Sequence, residues 1–102
     1  MTNHPHRSSY NRMIVKLQRI SLQKSTAPDV RRLATDEHIK MQAAQARLPT
    51  RPLMSDASYR NVYGNDAQAV MASHRKANDA ERAEWMSAAM DSAERFLAAW
   101  GL

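Results

Sequence analysis

His74, Asn78 and Glu81 are the residues of this chain whose types and spacing come nearest to titrating chemistry. Intervals of four and three place an imidazole, an amide and a carboxylate along one side of a helix. Their surroundings depend on the helix. If residues 66–99 form one helix, the three make a polar cluster within a buried seam. If Asn78-x-x-Glu81 acts as a capping box, a fresh helix starts there and the three are solvated at a turn. Both readings stay open on the sequence, and in either one a role in fixing register or lining a turn outweighs catalysis.

The remaining candidates are weaker. Glu81/Glu84 and Asp91/Glu94 are acidic pairs at helical spacing, but the second falls on a solvated strip. His4 and His6 alternate as in a metal-binding tract, without a third ligand nearby. His38 lies at the edge of a core face, where an ordinary hydrogen-bonded histidine is expected. The chain holds no HExxH, no Glu-x-x-His pair, no GxSxG elbow, no phosphate loop and no RRM-type aromatic motif. No catalytic residue, cofactor or metal is therefore assigned, and a non-enzymatic protein is expected.

The element that must organise the rest is the C-terminal run 78–100. On a helix, Trp85, Ala88, Ala89, Ser92, Ala93, Phe96, Ala99 and Trp100 share a face, which Met86, Met90 and Leu97 widen to more than half the circumference. Glu84, Asp91, Glu94 and Arg95 occupy the remaining strip. So wide an apolar arc touches more than one neighbour, which places this helix centrally. Ala67, Val70, Met71 and His74 keep phase with it, which favours one helix of roughly 50 Å over 66–99, with Asn65 as its cap.

Upstream, residues 1–7 read as a flexible tail. Ser8 or Ser9 caps a first helix to about Gln23, with Tyr10, Met13, Ile14, Leu17 and Ile20 as its buried stripe. Arg12, Lys16 and Arg19 form a basic stripe, and Val15 and Leu22 a smaller apolar stripe beyond it. A second helix starts at Pro28, capped by Ser25 or Thr26, and runs to about Arg47. Val30, Leu33, Ala34, Met41, Ala44 and Leu48 make its core face, Ile39, Ala43 and Ala46 lie opposite, and a bend at Thr35 is an alternative. Pro49 and Pro52 define a loop over 49–55. Ser55 then caps a short helix over 56–63, packed through Tyr59, Val62 and Tyr63 and stopped by Gly64, with a short strand as the alternative for these residues. The predicted fold is a single all-α domain, residues 1–102, of three to five helices packed around a long C-terminal helix.

Composition agrees with that fold class. Only two glycines occur among the 102 residues, too few for hairpins or Gly-rich nucleotide loops. The absence of cysteine excludes disulfides and fits a reducing compartment, and the cytoplasm is the expected location. No stretch approaches the roughly 18 apolar residues of a membrane span. Charge is uneven. Residues 1–51 hold ten Lys and Arg against three acids, a net +7, and residues 52–102 hold five against seven, a net −2.

Two kinds of partner follow. The second apolar stripes and the seven methionines suit a small regulator or inhibitor that binds a larger protein, for example a transcription factor. The expected contacts are Val15, Leu22, Ile39, Leu53, Met54, Leu97 and Trp100, and surplus apolar surface of this kind also predicts a homodimer. The alternative is nucleic-acid binding, with Arg12, Lys16, Arg19, Arg31 and Arg32 on the phosphate backbone and little sequence selectivity.

Overall fold

The computed structural model describes residues 7–50 and 53–102. The predicted tail therefore lies outside the described residues, together with His4, His6, Arg51 and Pro52. Arg7, placed in that tail from the sequence, opens the first helix.

Four α-helices follow one another: α1 (Arg7–Leu22), α2 (Pro28–Ala46), α3 (Asp56–Tyr63) and α4 (Ala67–Trp100). No strand occurs among the described residues. The local causes are those of the sequence. In α1 the apolar spacing buries Tyr10, Leu17 and Ile20, with Met13 and Ile14 packed against them. Pro28 opens α2, where its missing N–H costs nothing. The Ser55 hydroxyl accepts the Ser58 N–H at 3.2 Å and starts α3. Gly64 stops it with φ 58° and ψ −125°, a conformation that side-chain-bearing residues avoid.

Other local expectations fail. Neither Ser25 nor Thr26 caps α2; Ala27 stands at its N-cap with no side-chain bond. Thr26 Oγ1 instead donates to Gln23 Oε1 at 3.4 Å within the α1–α2 link. Asn65 does not cap α4 either. It lies in a single 3-10 turn over Gly64–Asp66, which leads directly into the helix. No bend forms at Thr35, which sits inside an unbroken α2 and donates to the Arg31 carbonyl.

α4 is continuous through Asn78 and, at 34 residues, runs for about 51 Å. It touches every other helix. α2 packs along both α1 and α4, whereas α1 and α4 meet at few positions. Cross-links give the directions. Tyr10 and Asn11, at the start of α1, bond to Met41 and Gln45 towards the end of α2, while the short link 23–27 joins their other ends, so α1 and α2 are antiparallel. Glu37 bonds to Ser92 and Arg47 lies over Trp85, so α2 and α4 are antiparallel as well.

Two separate clusters result. The larger joins α1, α2 and the C-terminal half of α4 through Tyr10, Leu17, Ala34, Met41, Phe96 and Leu97, among others. The smaller joins α3 to the N-terminal half of α4 through Tyr59, Ala67 and Met71, with Val70 beside them. We call these regions the body and the arm. The chain extends over 61 × 24 × 19 Å with a radius of gyration of 18.2 Å, against about 13 Å for a compact domain of this length.

On α4 the predicted arc is met in part: Ala93, Phe96, Met86 and Leu97 are buried, but Ala88, Ala99 and Trp100 are exposed and Ala83, outside that arc, is buried instead. Of the core face predicted for α2, Leu33 is 40% exposed, Leu48 falls beyond the end of the helix and is 79% exposed, and Glu37 occupies the buried stripe instead. Val62 of α3 is exposed too, leaving Tyr59 as the fully buried residue of that helix.

Candidate interaction surface on the first helix

α1 presents two faces with different tasks. The inner face is pinned by Tyr10, which is fully buried and donates its hydroxyl to the Met41 carbonyl at 2.6 Å. Burial disfavours the phenolate, so its pKa rises from 10.0 to about 12. At the exposed edges of α1, Gln45 Nε2 donates to Asn11 Oδ1 at 3.3 Å, and Lys16 Nζ donates to the Leu102 carbonyl at 3.2 Å. The last bond ties the end of α4 to α1. Gly101, in the left-handed conformation at φ 65°, turns the chain there, and Leu102 N–H closes on the Leu97 carbonyl at 2.8 Å.

The outer face carries the candidate contacts. Ser8, Asn11, Arg12, Val15, Lys16 and Arg19 line an open groove of about 640 Å³. Val15 is half exposed and Leu22, two turns on along the same line, is 73% exposed. Arg7, Arg12, Lys16 and Arg19 are all exposed, and α1 contains no acid. The surface is thus an apolar line edged by cations. Arg and Lys stems cover apolar surface while keeping their charges wet, so such a face needs no cover to remain in water.

The other expected contact residues are dispersed. Ile39 is exposed on α2, Leu53 and Met54 precede α3, and Trp100 is exposed at the end of α4. Leu97 is buried in the body and packs there instead of facing a partner. Arg32 is exposed and pairs with Asp29 at 3.5 Å, Arg31 is half-buried, and neither lines the groove.

The residues nearest to titrating chemistry are separated by the fold. His74 Nδ1 lies 2.8 Å from the Tyr59 hydroxyl, binding α4 to α3. Glu81 accepts from the Thr50 amide at 3.2 Å and from the Thr50 hydroxyl, binding α4 to the loop. Asn78 is buried between them. His74 and Glu81 thus serve different junctions. Among the described residues no cluster of three or more His, Asp or Glu could hold a metal ion. No described helix is long and apolar enough to cross a membrane.

Three polar devices escaped the sequence reading. The single Ser92 hydroxyl proton is shared by the Glu37 carboxylate, with Oε1 at 3.0 Å and Oε2 at 2.9 Å, and Glu37 pairs with Lys40 at 3.3 Å. Its position was legible, because Val30, Ala34, Glu37 and Met41 follow one helical stripe. Tyr10 reaching a helix carbonyl, and the Arg47 guanidinium 4.0 Å above the Trp85 ring, depend on contacts that no local pattern announces.

No protein-family model matches the chain, and comparison with curated proteins and with solved structures finds no significant match.

Proposed function

We propose that the protein is a non-enzymatic regulator or inhibitor that binds a larger protein, of the kind a transcription factor presents, through the outer face of α1. The observation that carries this reading is the exposed line of Val15 and Leu22, edged by Arg12, Lys16 and Arg19 on the side away from the body core. Apolar side chains supply the affinity of such a contact. The cations select an acidic partner and speed the encounter. A photo-crosslinker at Asn11, used in the source cell's lysate after nuclease treatment, tests this. One stoichiometric protein should be captured, and the added substitution Val15→Asp should abolish its capture. Capture unchanged by Val15→Asp rejects the surface.

Nucleic acid is the second reading, supported by the four exposed cations and the absence of acids along α1. It predicts binding with a steep salt dependence, which Arg12→Ala, Lys16→Ala and Arg19→Ala together flatten by about two to three in slope. An unchanged slope removes α1 as the contact.

A further inference from the structure

The outer groove of α1 is charged along one side only. At about 100° per residue, its lining residues Ser8, Asn11, Arg12, Val15, Lys16 and Arg19 fall within a single arc of the helix. Tyr10, Leu17 and Ile20 lie on the opposite side, in the body core. Leu22 continues the exposed line of Val15. Arg12, Lys16 and Arg19 flank that line on one side, and the uncharged Asn11 and Gln18 flank it on the other. Among the described residues no ion pair engages the three cations. Lys16 Nζ is held by the Leu102 carbonyl, which fixes the ammonium at the groove edge without neutralising it.

We infer that this groove receives one amphipathic helix of another protein, with apolar residues seven apart and acids along a single flank. The inference rests on the reading of α1 given above and names the element that docks there. Val15 and Leu22 stand about 10 Å apart along the helix axis. A helix laid alongside meets that interval with its own positions i and i+7. An extended segment spans it in about three residues, and residues three apart point to opposite faces, so it cannot seat on both. A nucleic-acid backbone would engage the cations and leave Val15 and Leu22 without an apolar partner.

Charge selects the sign of the occupant. α1 carries four bases and no acid, so a second copy placed face to face here would bring like charges together. Arg12, Lys16 and Arg19 recur at i, i+4 and i+7, the interval at which one flank of a facing helix presents Asp or Glu. Reversing the incoming helix would swing its acids to the side of Asn11 and Gln18. The one-sided charge therefore also fixes the direction in which that helix runs.

Selection from a display library of random peptides of about 18 residues, with the full chain as bait and Val15→Asp as the control bait, tests this. Enriched sequences should carry apolar residues at i and i+7, acids on one flank and no internal proline. A synthesised member should gain helical circular dichroism on binding. Arg12→Glu with Arg19→Glu should weaken it by about tenfold or more, and changing the peptide's acids to Lys should restore binding to that variant. Enrichment of basic, uncharged or proline-containing sequences overturns the inference, as does no enrichment beyond the Val15→Asp control. Self-association that Val15→Asp dissolves would give the face to a second copy. Binding of a DNA duplex of about 20 base pairs with no peptide enriched would give it to nucleic acid. Either result overturns the inference. A protein captured by the Asn11 crosslinker while no acidic helical peptide is enriched would refute the docked helix alone. Enrichment of such peptides with no protein captured would refute the regulator reading alone.

Discussion

The body and the arm are built on the same helix and held together by different means. In the body, three helices enclose a cluster with Tyr10, Leu17, Ala34, Met41 and Ala93 wholly out of water. In the arm, an eight-residue helix lies on α4 over three buried residues, and its fixed points are polar: the Ser55 cap, the Tyr59–His74 bond and the Thr50–Glu81 contact at its root. Stability in a small helical protein scales with enclosed apolar area. The body therefore sets the global unfolding free energy, and the arm opens at lower cost.

The sharpest way to break this comparison is in the body core. Leu17→Ala should lower global stability by about 2–5 kcal/mol in urea unfolding, because the side chain is fully buried and leaves a cavity. A loss below 1 kcal/mol would mean that the body is not the cooperative core. Alkali probes the same region through one group. The Tyr10 phenol has its folded pKa raised to about 12. Its stabilisation is therefore complete below pH 10, where it is protonated in both states, and is lost as pH rises from 10 towards 12 and the unfolded chain ionises first. The loss should reach about 2–3 kcal/mol, and Tyr10→Phe should remove that pH dependence.

The arm should respond locally. Tyr59→Phe removes the hydroxyl bonded to His74 at a cost of about 1 kcal/mol. Native-state hydrogen exchange should show faster exchange over residues 56–74 and unchanged protection around Leu17 and Met41. Protection lost equally in both regions would merge them into one cooperative unit. Smallest of all, Val15→Asp should alter stability by no more than about 0.5 kcal/mol while abolishing partner capture. A global loss of several kcal/mol would show that Val15 belongs to the core.

Legibility from the sequence followed the same division between local and distant causes. α3 was readable to the residue, because Ser55 and Gly64 act on their own immediate backbone. The start of α2 followed from Pro28, and the inner face of α1 from a single unbroken period. Asn78-x-x-Glu81 spelled out a start signal that the fold does not use. Glu81 bonds to Thr50, thirty-one positions away, and Asn78 is buried in mid-helix. The facing of α4 was legible at Met86, Ala93, Phe96 and Leu97 and not at Ala88, Ala99 and Trp100, for a related reason. A helix serving two clusters at two azimuths has no single apolar stripe, so the centre of the pattern on 78–100 was not the centre of the contact. On the surface, the basic and apolar lines of α1 were legible because both repeat with the helix. The place of Leu97 was not, since an apolar position near the end of a chain reads equally well as core or as contact.

The unbroken run of α4 also has a mechanical consequence. Its backbone ladder, with no glycine or proline from Ala67 to Trp100, resists bending over its length, so it behaves as a beam clamped in the body at one end and free at the other. The unclamped half spans about 25 Å. A tilt of about 5° at the clamp therefore swings the tip by about 2 Å, enough to unseat a side chain from its pocket. Force applied at the tip returns along the same beam as torque on the helix that closes the body core.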